Sequence, residues 1–500
     1  MKKINHSKNS LYTFLSWLIP LGLTFFATPF IVRKMGNIEY GLYALMLGFI
    51  AYSFTFNIGR AVTKYVVEYN AKSEIENVTK IVSATFFLGL AIGTLGTVVL
   101  YFGAEFFVGH VLLIEDSASQ EAIRGLHLVA ISIWFLIIGQ VFIAVVQATH
   151  RFDVYSLITS LTNIFFILGN VLLVWFGFGF LYLLVWNVVT NAFNALSFFY
   201  YARKLQPGTS ISLRFDKEML KLSLKYGLSV VGYQIFGNIL FIYERIVITR
   251  IEGTDKLTNY VVPITIAIYL HSFVASLTLN LMAYSSELFA KKQIAELEHI
   301  YKRVSKIVVA LVVFMVVTLA VGGKYFLTNW IDAGFAETSY PVFIIQLATF
   351  GLLAVLIISW QFIEGFGSPF YNTISGFSWL LIAAPLMPIL TTNYGIFGTS
   401  LARFIGEITI PITICLIERK IFGKVLVSFW LKILPLIFLC SLFSGFAEFY
   451  LLRSLPVNWF SFAGAVAVCG IIFVLGLLVT SYFSIEEKFW LKNLFKRSFV

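Results

Sequence analysis

Charge is what this 500-residue chain has least of. Asp, Glu, Lys and Arg make 12% of it, against about 25% in a soluble domain, while hydrophobic residues make 59%. That balance excludes a soluble globular protein, and a mean hydropathy of +0.88 places the chain among polytopic membrane proteins. Cysteine is scarce as well. Cys415, Cys440 and Cys469 all lie inside apolar runs, so neither a disulfide framework nor a metal site is expected, and the three read as small packing residues. Enzyme signatures are missing: the sequence has no Gly-rich phosphate loop followed by Lys and Ser/Thr, no HExxH and no nucleophile elbow. The expectation is a non-enzyme without cofactor, driven by an ion gradient, the membrane potential or downhill substrate flow. No connection is large enough for a separate folded domain. The net charge of +11 does not signal nucleic acid, because the basic residues sit between hydrophobic runs instead of sharing one soluble face.

What the sequence has instead is a series of apolar runs. The first, Leu11 to Val32, has about 22 residues, enough to cross a ~30 Å hydrocarbon layer. It follows a basic amino-terminal segment, MKKINHSKNS, but ends at Pro29 without a small-x-small cleavage site, so it reads as a retained first helix. A short turn, RKMGNIEYG, leads into a second run that ends at Arg60. An amphipathic exit follows, with Lys64, Glu68 and Lys72 on one face.

Spanning runs recur at about residues 81–103, 126–148, 155–175 and 180–201. A hydrophilic segment carrying Arg203, Lys204, Arg214, Lys217, Lys221 and Lys225 then interrupts them. Six more runs fall at about 226–249, 260–283, 304–323, 341–363, 371–390 and 397–417, and two last ones at about 430–452 and 459–483. The expected fold is an all-α polytopic membrane protein of about fourteen transmembrane helices, two pseudo-symmetric six-helix bundles plus two carboxy-terminal helices. The expected division is a first bundle over 1–202, a cytoplasmic connection over 203–225, a second bundle over 226–420, and the added helices with a basic tail over 421–500. Basic residues on alternate connections outnumber those on the others by roughly three to one, which places both termini in the cytoplasm.

The two halves repeat each other. PFIVRKMGNIEYGLYALMLGF aligns with IVITRIEGTDKLTNYVVPITI: a helix ends in Arg33 or Arg250, a turn holds Gly36 or Gly253, and Tyr40 or Tyr260 opens the next helix. Thr55-Phe56-Asn57 faces Thr278-Leu279-Asn280 farther on. Matched breaks in corresponding helices are the sequence sign of a transporter built from repeats, with its substrate site at their interface.

The pattern RKMGNIEYGLYAL followed by FNIGRAVTKYVVEY, together with QATHRFDVYSLI, resembles the polysaccharide flippases, the Wzx-type O-antigen and exopolysaccharide translocases. Their superfamily also holds the multidrug and toxin extruders and the lipid II flippases. In that family the second helix often ends with an Asp two residues before the Gly; this chain has Asn57 there. The resemblance implies outward movement of an undecaprenyl-pyrophosphate-linked oligosaccharide across a prokaryotic plasma membrane, by alternating access between two six-helix bundles. The lipid bilayer and, further along the pathway, a polymerase and chain-length proteins are the implied partners. The alternatives are a lipid II flippase, a cation-coupled drug extruder and, from another class, a membrane glycan polymerase. The last would need a large external loop, and no outer connection exceeds about 25 residues.

Ionisable residues inside spans cost on the order of 3 kcal/mol on insertion scales, so they mark pathways or pairs. Arg60, Arg245, Arg403, Arg33 and Arg250 are the candidates for a cationic cavity, since an arginine fork suits a pyrophosphate. For Arg60, snorkelling to lipid headgroups is the other reading. Glu244, Glu407, His271, Asp153 and Asn57 are the candidates for coupling or gating. Glu244 and Arg245 are adjacent and point about 100° apart, so each needs a partner on another helix or an aqueous cavity. Arg403 and Glu407 stand four apart, which suits an intrahelical salt bridge. His271 and His127 suit either proton movement or a structural role. Arg151 and Asp153 suit a gate or a loop contact, and Glu448 and Glu105 are expected at the interface. Trp175, Trp186, Trp330 and Trp459 are expected in interfacial belts.

Overall fold

The computed structural model describes residues 6–52, 59–114, 116–209, 211, 216–278, 281–484 and 487. Asn57, Thr55, Phe56, Leu279 and Asn280 therefore lie outside the described residues, as does the side chain of Arg60. Among the described residues the chain is helical throughout, with no strand. In order the helices are α1 (His6–Tyr52), α2 (Gly59–Ala71), α3 (Ile75–Phe102), α4 (Ala104–Phe106) and a π-helical turn (Phe107–Leu112). Then come α5 (Asp116–Ala148), α6 (Phe152–Trp175), α7 (Phe180–Leu205), α8 (Lys217–Glu252) and α9 (Thr254–Leu277). After these follow α10 (Leu281–Ala290), α11 (Ile294–Val321), α12 (Gly323–Trp330), α13 (Ala333–Gly365) and α14 (Phe370–Glu407). The last three are α15 (Ile410–Phe422), α16 (Val427–Ser454) and α17 (Trp459–Val479).

Helices are the only open-ended answer available to such a sequence, because a backbone in hydrocarbon must satisfy its own polar groups. Ten of the described helical stretches are long and apolar enough to cross a membrane. Two apparent single helices are bent pairs: the backbone leaves the helical region at Gly36 in α1 and at Gly395 in α14. With those bends, and α8, the helical legs come to about fourteen, as the runs of spanning length predict.

The repeat is written into the backbone. Gly36 has φ 80° and ψ 169°, and Gly253 has φ 88° and ψ 172°. This is a region essentially closed to residues with a β-carbon. Ser73 and Lys292, both non-glycine residues at positive φ (60° and 57°), turn α2 into α3 and α10 into α11. In each case an ion pair closes the preceding helix, Glu68 with Lys72 at 2.8 Å and Glu287 with Lys291 at 2.5 Å. Gly103 (φ −87°, ψ 0°) and Gly322 (φ −85°, ψ −1°) end α3 and α11 alike. His150 pairs with Gly367, Gly177 with Gly395 and Gly208 with Gly423, all at positive φ. Every pair is separated by about 215–219 residues, the signature of an internal duplication. The structure corrects one alignment. Counting equally from Gly36 and Gly253, Tyr260 falls opposite Tyr43 and not Tyr40, and both Tyr43 and Tyr260 are buried. The sequence pairing had slipped by nearly one helical turn, which leaves the residue on the same face.

By contacts the chain divides into two units, residues 1–258 with 391–395, and residues 259–390 with 396–500. In the first, α5 is the hub, packed by α2, α3 and α7. Val62, Val66, Ile81, Val141, Phe142 and Phe198 form its buried apolar cluster. In the second unit the hub is α13, packed by α10, α11, α12 and α15. The two hubs are duplicates, each of 33 residues. Helix α16 packs on α11 and α17. The second unit also carries an apolar cleft of about 560 Å³, lined by Val312, Leu352, Phe404, Ile414, Trp430 and Leu434 among others.

Candidate functional site

Each unit holds buried charge, and each arrangement can be built up separately. In the first unit, α8 carries Glu244 and Arg245 side by side, 0% and 5% exposed. Arg245 Nη1 donates to the Phe241 carbonyl one turn earlier, at 2.8 Å, which bends the side chain back along its own helix. Its guanidinium lies over the Tyr52 ring, 5.0 Å from the centroid, and Tyr52 stacks on Phe241 at 4.4 Å with planes 6° apart. Burial of a guanidinium against an aromatic face recovers part of the lost hydration. Helix α1 makes room for it with Gly48, where a β-carbon would stand 2.5 Å from Arg245 Cδ and Nε. Nε itself has no hydrogen-bond partner among the described residues. A buried cation with a donor to spare is an anion-binding element in chemical terms.

In the second unit, α14 carries Arg403 and Glu407, 3% and 0% exposed, and Arg403 Nε donates to Glu407 Oε1 at 3.0 Å. The intrahelical bridge that the spacing predicts is therefore formed. The Arg403 guanidinium also sits over the Phe350 ring of α13, 4.9 Å from its centroid. His271 of α9 meets the same ring edge-on at 6.3 Å. One turn before Phe350, Gln346 donates to Ser400 at 3.1 Å. Phe350 thus gathers His271 and Arg403, two residues more than 100 positions apart in the sequence.

The other candidates fall elsewhere. Arg33 and Arg250, equivalent by the repeat, are both exposed. Arg151 and Asp153 form a bidentate pair at 2.9 and 2.8 Å, both half exposed, across the turn between α5 and α6. Its hydrogen bonds to Asp153 raise the pKa of Arg151 still further. This is a loop contact by its geometry. His127 stacks on Tyr101, 4.1 Å between centroids. Two interface expectations are corrected. Glu448 is fully buried in α16, because α11 and α17 pack over it, and Trp330 is buried against Phe326, because the short helix α12 packs on α13. Sequence reasoning missed Gly48, Tyr52 and Phe350, none of which is distinguishable from its many apolar neighbours before its partner is known. Among the described residues no group of three His, Cys, Asp or Glu side chains is placed to hold a metal ion.

About fourteen apolar helical legs, a duplicated backbone and arginines buried within both units define a multi-pass membrane transporter. Residues 7–289 match the family described as "Polysaccharide biosynthesis protein", and the chain belongs to that family. It is also similar to a Shigella flexneri protein named as an O-antigen transporter, 19% identical over 410 residues that cover 79% of this chain and 93% of that protein. Two solved structures share the fold. One is the inward-facing conformation of a multidrug resistance MATE family transporter of the MOP superfamily, with TM-score 0.70, 14% identity, and 82% and 98% of the two chains covered. The other is the lipid II flippase MurJ in an inward closed conformation, with TM-score 0.69, 16% identity, and 94% and 97% covered.

Proposed function

We propose that this protein is a flippase for an undecaprenyl-pyrophosphate-linked oligosaccharide, moving the unit outward across a prokaryotic plasma membrane, with both termini in the cytoplasm. The observation that carries the reading is Arg245: a guanidinium 5% exposed, on a run of spanning length, whose Nε has no hydrogen-bond partner among the described residues. A pyrophosphate leaves water only for paired cations, and a fork donor held against an aromatic ring offers that pairing without a covalent step. Arg60 and Arg403 extend the cationic route, Glu407 neutralises Arg403 when the substrate is absent, and Glu244 and His271 are the candidates for coupling or gating. The apolar cleft beside Leu352 and Trp430 suits the isoprenoid chain, which stays in the lipid phase as the headgroup crosses.

The test is deletion of the gene in its own host, with analysis of surface polysaccharide and of the lipid-linked pool, followed by complementation with wild type, Arg245→Ala and Arg60→Ala. Loss of surface glycan with repeat units trapped on the inner leaflet, restored by wild type and not by either variant at equal expression, is the expected result. Normal surface glycan with new drug sensitivity would make the protein an extruder. Unpolymerised units on the outer leaflet would make it a polymerase.

A further inference from the structure

Glu448 plays no part in the arrangement around Arg245 or Arg403. It lies on α16, which has the length and hydropathy of a membrane span, and its side chain is 0% exposed. Neither carboxyl oxygen has a hydrogen-bond partner among the described residues. The neighbours explain why. Helix α16 packs on α11 and α17. From α17 the titratable group that faces Glu448 is the Cys469 thiol, a weak donor. From α11 come Thr318, whose hydroxyl already donates to the Phe314 carbonyl at 2.8 Å, and Gly322. A β-carbon on Gly322 would stand 2.9 Å from Glu448 Oε1, so the glycine is what lets the carboxyl fit against α11. On α16 itself Ser444 donates to the Ser441 carbonyl.

An ionised carboxylate in such a place, with no cation against it, is prohibitively costly, whereas the neutral acid is tolerated. The group therefore has two stable conditions, protonated when sealed and ionised when water reaches it. The rings near it reach the surface at Trp459, which is 42% exposed. Phe462, which reaches to 2.7 Å from the same Gly322 β-position, stacks with Tyr325 and meets Phe326 and the partly exposed Trp459. That layer of rings joins the start of α17 to α12 and forms the cover.

We propose that Glu448 is a proton-exchange site, distinct from the arginine positions, which takes up a proton from water when the aromatic layer of Tyr325, Phe326, Trp459 and Phe462 opens and holds it when the layer closes. The proton enters and leaves as hydronium or as water-borne proton on that side, and no other bond is made or broken.

Dicyclohexylcarbodiimide, which modifies protonated carboxyls in apolar surroundings, is the probe. The full chain in liposomes is treated at external pH from about 5 to about 9, spanning the range in which a buried carboxyl titrates, and modification is mapped by mass spectrometry. Label on Glu448 at the acid end that falls at least about tenfold towards the alkaline end is expected, a ratio equivalent to about 1.4 kcal/mol. Glu448→Gln should remove that label alone. Gly322→Ala, which retains Glu448 and displaces its carboxyl, should shift the pH at which labelling falls. Absence of label at every pH, or labelling that does not change with pH, would overturn the proposal. The readout needs no transported molecule, so its failure is distinguishable from failure of the flippase reading. Export by Glu448→Gln that still responds normally to an imposed pH gradient would remove the site from the transport cycle.

Discussion

Gly48 of α1 and Arg245 of α8 occupy one volume: the missing β-carbon of the first is where Cδ and Nε of the second lie, 2.5 Å from its ideal position. The glycine is thus the seat of the buried guanidinium. The displaced atoms belong to a flexible side chain, so Gly48→Ala should move Arg245 instead of unfolding the helix pair. Export should fall by about tenfold, or ~1.4 kcal/mol, with protein level and thermal unfolding near wild type. A large loss of folded protein would mean that Gly48 serves packing and not the site.

The Arg403–Glu407 pair should behave as a buried bridge. Removing one partner, as in Glu407→Leu, should destabilise by about 3–5 kcal/mol because a charge is left in a buried site. The double variant Arg403→Met with Glu407→Leu should recover most of that stability while losing export. Thermal unfolding in detergent, read as a double-mutant cycle, checks the first outcome, and glycan complementation the second. Additive single and double effects would sever the pair.

Gly36→Ala and Gly253→Ala should each cost about 1–3 kcal/mol, because both glycines hold a backbone conformation essentially closed to residues with a β-carbon. No other atom lies within 4 Å of a β-carbon at Gly36, so the cost there is conformational alone. Gly36→Asn should cost about as much, because the positive φ that Asn tolerates is that of the left-handed helical region, far from the ψ of 169° held here. Equal stability of the alanine and wild-type proteins would show that the turn relaxes.

Acid should weaken the carboxy-terminal attachment. Burial pushes the Glu487 carboxyl up, but its hydrogen bonds to Lys306 and to the Ser484 amide outweigh that, and its pKa lies below the ordinary 4.5. A depressed acid pKa contributes stability above the unfolded value that is lost as pH falls through the folded one. Proteolysis of the tail should therefore accelerate below about pH 4.5 in wild type, and Lys306→Met should show the faster cleavage already at neutral pH. Equal cleavage of the two proteins across that range would exclude the contact as an anchor.

Much of the helical plan is legible in the residues themselves, because spanning length and the need for internal backbone satisfaction leave a membrane chain few choices. The Gly36 and Gly253 turns are legible for the same local reason, and so is the Arg403–Glu407 bridge, where both partners share one helix face. Phe350 is not. Its role comes from His271 on α9 and Arg403 on α14, brought to its ring by packing that no short window contains. Glu448 misleads for a related reason. Its position near a helix end suggests the interface, and only the packing of α16 against α11 and α17 buries it. Tyr43 shows the limit of alignment by residue type: two tyrosines near one turn are interchangeable to the eye, and counting from the turn glycines, whose dihedrals match, chooses between them.

The duplicated turns also act as fiducial marks along the chain. Gly36 to Ser73 is a shorter stretch than Gly253 to Lys292, and Gly177 to Gly208 a longer one than Gly395 to Gly423, although φ is positive at every one of these positions. Insertions and deletions since the duplication have accumulated between the marks and spared the marks themselves. Those stretches are helices with buried faces, α2 and α7 among them, so the changes of length were absorbed inside packed elements, and an epitope inserted there should disrupt folding.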